Sequence, residues 1–142
     1  MAIYSLAQRT TVGSTSTAAF TLVTTAADRA ALLEWGVFMA TATTSIYALG
    51  RPATVGTTAT AFVAALAEDT SATTANSGGV LTWGTSPTNA TNELRRWASP
   101  ATIGTGVIWT FPRGLIVPIS ANLCLQNRNV AGVVDTYFVI DE

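Results

Sequence analysis

Few residues in this chain are able to do chemistry. Cys124 is its single thiol, the carboxylates worth pairing are Glu34, the adjacent Glu68 and Asp69, and Glu93, and all 7 basic residues are Arg. His and Lys are absent. Their absence removes the usual general base, the commonest metal ligand and any Schiff-base amine, so a Ser-His-Asp triad cannot be assembled. A lone Cys makes no internal disulfide and no Cys-rich zinc site, and within the apolar ANLCLQ it reads as a small buried hydrophobe. Two carboxylates held at a set separation in a groove would serve glycoside hydrolysis, with Glu34 or Glu93 to supply them. Glu68 and Asp69 instead lead into the polar DTSATTANSGG and read as a solvated loop edge. No calcium loop and neither glycine-rich phosphate motif occurs. The sequence therefore predicts no catalytic residue, no cofactor and no metal.

Binding chemistry is better represented. Trp83, in LTWGTSPTN, is an aromatic in a loop rich in Gly and Pro, suited to stacking on a sugar or to packing across the end of a sandwich. Arg95 and Arg96 beside Trp97 could bridge subunits through carboxylates or form a solvated strand face. At the N-terminus, Ile3, Tyr4 and Leu6, with Arg9 behind them, are apolar residues that either form the first strand of the chain's own sheet or, as an arm over residues 1–12, add a strand to a neighbour. Charged residues make up only 11% of the chain and the net charge is −1, so there is no footprint for nucleic acid or an anionic membrane, and little repulsion keeps copies apart. The first residues lack the charged and apolar blocks of a secretory signal.

These residues must be positioned by strands. VIWTF (107–111) puts Val107, Trp109 and Phe111 on one face, LEWGVFMA does so for Trp35, Val37 and Met39, and TSIYALG sets Tyr47 and Leu49 opposite Ile46 and Ala48. ANLCLQ and DTYFVID alternate in the same way, RRWASP is a further strand, and TAFVAAL is expected to turn Phe62 and Leu66 inward. The run from Val107 to Gln126 is too broken by Pro112, Gly114 and Pro118 to cross a membrane, and Pro112-Arg113-Gly114 reads as a turn between two strands. TTAADRAALLEW admits a short helix over 26–34 or a strand beginning near Arg29. The tetrad T-[VI]-G-[ST] at 11–14, 54–57 and 102–105 reads as repeated turn chemistry. The whole fits one domain over residues 1–142, an all-β antiparallel sandwich of jelly-roll type with about eight strands.

From ALGRPA (48–53) through LAEDT (66–70), LRRW (94–97) and PATIGTGVIWTFPRGLIVP (100–118) to the terminal YFVIDE, the blocks of residues 33–142 resemble, in that order, small virion structural proteins of tailed bacteriophages. The resemblance implies a β-sandwich that is made in the host cytoplasm and assembles as a small oligomer on the phage head or tail, docking through an N-terminal arm or one end of the sandwich. It carries no catalytic signature. The function expected from it is a non-enzymatic capsid decoration (cement) protein, a trimer on the head surface whose partner is the major capsid protein or another virion protein. A neutral, Thr-rich, Lys-free exterior is what a protein held by many neighbours tolerates. The alternative is a tail-fibre, spike or lectin-like module that binds host glycan through Trp83.

Overall fold

The computed structural model describes residues 2–11, 17–59, 61–69 and 73–142. Among them are thirteen strands and no helix: β1 (Ile3–Arg9), β2 (Ala18–Val23), β3 (Ala30–Met39), β4 (Ser45–Gly50), β5 (Thr57–Ala59), β6 (Phe62–Ala64), β7 (Leu66–Ala67), β8 (Gly78–Val80), β9 (Trp83–Thr85), β10 (Glu93–Ser99), β11 (Gly106–Val117), β12 (Asn122–Asn127) and β13 (Val134–Asp141). One sheet runs β11-β3-β13-β1-β7, the other β10-β4-β12-β2-β8-β6, and β5 and β9 form a two-stranded ribbon. Every pairing is antiparallel. Of the eight strands β1 to β4 and β10 to β13, successive ones lie in opposite layers except β4 and β10, which pair in one, and they nest as β11-β3-β13-β1 over β10-β4-β12-β2, which is the jelly-roll order. Residues 51–92 are inserted between β4 and β10, and they also cap the β1 and β2 edges with β7, β8 and β6.

Period-two patterning explains which side chains fill the space between the layers. Trp35, Val37 and Met39 of β3, Tyr47 and Leu49 of β4, Leu123 and Leu125 of β12, and Phe138 and Ile140 of β13 are all buried in one cluster. Its centre is aromatic: Phe20 from one layer lies 5.9 Å from Trp35 and 5.6 Å from Phe138 of the other. The polar groups beside this aromatic centre are matched. The Trp35 indole N–H donates to Thr136 Oγ1 at 2.9 Å, and that hydroxyl donates to the Gly36 carbonyl at 2.8 Å.

Of the two readings of 26–34 the strand holds: there is no helix, β3 starts at Ala30, and a register shift against both neighbours falls at Leu33 and Glu34. One extra residue in a strand turns a spacing of two into a spacing of three, so Leu32 and Trp35 both face inward and imitate a helical repeat. Pro112-Arg113-Gly114 is no turn between strands. It bulges within the continuous β11, where Thr110 pairs with Glu34 and Leu115 with Leu32. Gly114 takes φ +69 there, and Pro112 sits on an edge strand where its missing N–H costs no ladder bond. Phe62 and Leu66 do not point inward; they are 44% and 65% exposed, because β6 and β7 close the sheet margins and leave only Ala65 between them in the core. Of the repeated tetrads, the turn at 102–105 is closed by Thr105 Oγ1 donating to the Thr102 carbonyl at 2.7 Å, with Gly104 at φ +84, whereas most of 11–14 lies outside the described residues.

The N-terminal segment is a strand of the protein's own sheet. β1 pairs along its full length with β13, from Ile3 opposite Asp141 to Arg9 opposite Asp135, and β7 covers part of its other side. Tyr4 and Leu6 are buried in the core, so neither is an exposed contact, and among the four N-terminal candidates only Ile3 and Arg9 lie on the outer side. A free arm over residues 3–9 would leave one whole edge of β13 unpaired.

Candidate functional site: two outer faces and a basic edge

The two outer faces of the sandwich differ. On the β12 layer, alternate residues that would meet solvent are covered by the insertion. Cys124 and Gln126 have no exposure, Gln126 Oε1 accepts from the Ala90 N–H at 3.2 Å, and every residue of β12 is buried. Burial of the Cys124 thiol, relieved only slightly by Thr21, pushes its pKa up to about 12, which makes it a poor nucleophile. Trp83 belongs to this cover. Its indole N–H donates to Thr21 Oγ1 at 3.3 Å, and a side chain at Gly56 would collide with its ring, which packs beside Pro87.

The outer face of the β11-β3-β13-β1 layer carries no such cover among the described residues, and its aromatic rings lie down against glycines. The Tyr137 ring lies across β3 at Gly36, where an added Cβ would stand 2.1 Å from Cε1, and Phe38 lies across β11 at Gly106 in the same way, at 2.2 Å. The two rings are parallel within 13° and 6.4 Å apart. The Tyr137 hydroxyl donates to Glu34, and partial burial together with that carboxylate pushes its pKa up to about 12. Beside the rings, Ala7, Arg9 and Asp135 border a dent of about 320 Å³. Arg9 donates from Nε and Nη2 to the two carboxylate oxygens of Asp135, at 2.6 and 2.8 Å, which holds the carboxyl below its ordinary range. Ile108 and Ile116, 49% and 43% exposed, extend the platform to the β11 margin.

At that margin β10 and β11 end the two sheets, one above the other. The predicted cluster is split between the two faces of β10. Arg95 lies over the Phe111 ring at 4.9 Å, reaching from one layer to the other. Trp97 stacks on Tyr47 at 6.5 Å and adds to the core rather than to a surface. Arg96 instead joins Arg128 on Glu93, at 2.9 and 2.8 Å. Arg95, Phe111, Pro112, Arg113 and Leu115 line a groove of about 370 Å³. Arg51 is also here, donating to the Ile116 carbonyl at 3.0 Å. The strands bearing LRRW and WTFPRGL are thus neighbours at one margin, with ALGRPA on and after β4 beside them.

The carboxylates considered for hydrolysis are not brought together. Glu34 is on β3 with Tyr137, Glu93 is on β10 of the other sheet between two guanidinium groups, and Glu68 follows β7. No three His, Cys, Asp or Glu side chains converge as a metal site among the described residues. Within these residues no helix is long and apolar enough to span a membrane. The aromatic platform was missed in the sequence, although Gly36 in the middle of an apolar strand run is the mark of a ring lying over it. Comparison with protein-family models, with curated proteins and with solved structures finds no match.

Proposed function

We propose that the protein is a non-enzymatic structural component of a tailed-phage virion, a capsid decoration protein that lays the outer face of its β11-β3-β13-β1 layer against the major capsid protein. The observation that carries this reading is the asymmetry of the two outer faces. Among the described residues, segments between β4 and β10 cover the outer face of one sheet, and the outer face of the other is left as an open platform of Phe38, Tyr137, Val139 and Ile108. Four strands spaced by about 4.8 Å and seven or eight residues long at about 3.3 Å per residue present roughly 400–500 Å² of plane. A small, flat contact of that size is weak alone and strong when repeated over a lattice, which suits a protein present in many copies. The resemblance of the β10, β11 and β13 blocks to virion proteins points the same way.

Glycan binding through Trp83 has less support, since its N–H and one side of its ring are already engaged within the chain. The test is the copy ratio of this chain to the major capsid protein in purified particles, with Val139→Arg as the probe. Val139 points outward and half-buried on β13, so the substitution should leave the fold intact and strip the protein from capsids. Retention of Val139→Arg on particles, or loss of attachment caused by Trp83→Ala instead, would refute the assignment of this face.

A further inference from the structure

Most of the chain's arginines gather at one margin. Arg95 and Arg96 stand on β10, Arg113 on β11, Arg51 just after β4 and Arg128 just after β12. Arg96 and Arg128 share the carboxylate of Glu93, and Arg51 is held by the Ile116 carbonyl. Asp28, which leads into β3 beside this margin, is engaged by the Asn76 amide at 2.6 Å. Arg95 and Arg113 are left with no carboxylate against them among the described residues. Both are exposed, and both border the groove of about 370 Å³ that Phe111, Pro112 and Leu115 floor.

A guanidinium keeps its charge at any accessible pH, so two of them beside one apolar groove repel each other until an anion comes between them. The Phe111 ring, 4.9 Å from the Arg95 guanidinium, attracts that group without neutralising it. The same margin holds an open strand edge. β10 bonds only to β4 among the described residues, so one side of its backbone is unpaired along Glu93–Ser99. Charges on an edge strand keep like-charged strands away; here the free charges are both positive, so they repel a basic strand and draw an acidic one. A nucleic acid would need guanidinium groups in series along its phosphates, whereas only two stand free of carboxylates and carbonyls across the groove, and its floor is apolar.

We infer that β10 accepts an acidic strand of a partner protein, which pairs with its open edge, lowers one apolar side chain into the Phe111 groove and sets carboxylates on Arg95 and Arg113. The surface is a sheet edge rather than the outer face assigned to the capsid, so peptide binding and particle attachment succeed or fail separately. Successive residues of a strand point to opposite faces, so a peptide with one Leu between three Glu on each side offers carboxylates on both faces around a single anchor. Followed by fluorescence anisotropy on the full chain at about 50 mM salt, this labelled peptide should bind with a Kd of about 10–100 µM, weakening at about 500 mM salt as exposed charges are screened. Arg113→Glu, exposed and with no partner to lose, should stay folded and bind at least about tenfold more weakly, the scale of one lost charge-assisted contact. The same peptide with Lys in place of Glu should not bind, and methylation of every backbone nitrogen should abolish binding because no strand can then pair with β10. No binding at about 1 mM peptide, equal affinity for Arg113→Glu, equal affinity of the Lys or the methylated peptide, or tighter binding of a thymidine oligonucleotide of equal charge would overturn the inference.

Discussion

Replacing Gly36 by Ala tests the physical basis of the platform. The added methyl would sit 2.1 Å from Tyr137 Cε1 and 2.6 Å from Cζ, against an ordinary carbon contact of about 3.5 Å, so the ring must lift by more than about 1 Å. A lifted ring loses its hydroxyl bond to Glu34, worth about 1.5 kcal/mol for a bond to a charged group, and its stacking on Phe38, worth about 0.5–1 kcal/mol. Strand propensity returns a few tenths in favour of Ala. The expected net is destabilisation by about 1.5–2.5 kcal/mol in urea melts, with an unchanged slope against denaturant. The same substitution in a Tyr137→Ala background should cost less than about 0.5 kcal/mol, because the ring that the methyl strikes is gone. Spectrophotometric titration of Gly36→Ala should also show one tyrosine moving down from about 12 towards its ordinary value of 10.0. Equal cost of Gly36→Ala in both backgrounds would refute the packing of Tyr137 over Gly36.

Two further outcomes follow from the titrating groups. Cys124 should resist thiol reagents at pH 8 in the native state and react only as the insertion opens, since burial holds its pKa near 12; rapid labelling without unfolding would show that residues 51–92 do not cover β12. Asp135, depressed below 3.8 by Arg9, should contribute stability that is present above that value and lost as pH falls through its lower folded pKa, a dependence absent from Asp135→Asn; carboxyl chemical shifts followed by NMR would read it directly.

The alternation of side chains was enough to put Trp35, Val37 and Met39 on one face and to separate Phe138 and Ile140 from Tyr137 and Val139, because the strand period is a local property of the backbone; the packing of the layers shows which face is inward. The absence of His and Lys, and the sparse charge, are equally properties of the sequence alone. Where a strand departs from strict alternation, local reading misleads: the extra residue at Leu33 and Glu34 imitates a helix, and the bulge at Pro112-Arg113-Gly114 imitates a turn, since only the partner strand shows that the ladder resumes beyond it. Phe62 and Leu66 carry core chemistry, yet they lie at a margin, and being at a margin depends on strand order rather than on residue type. The same is true of every surface argued to matter. Arg9 meets Asp135 across 126 positions and Tyr137 reaches Glu34 across 103, and Arg51 after β4 joins the arginines of β10 and β11 in one basic edge only when the jelly-roll order stacks two sheet ends together. Local chemistry determined the strands and which side chains share a face; closure of the two layers decided which faces are inward or covered, which edges stay open, and where an almost neutral chain keeps its charge.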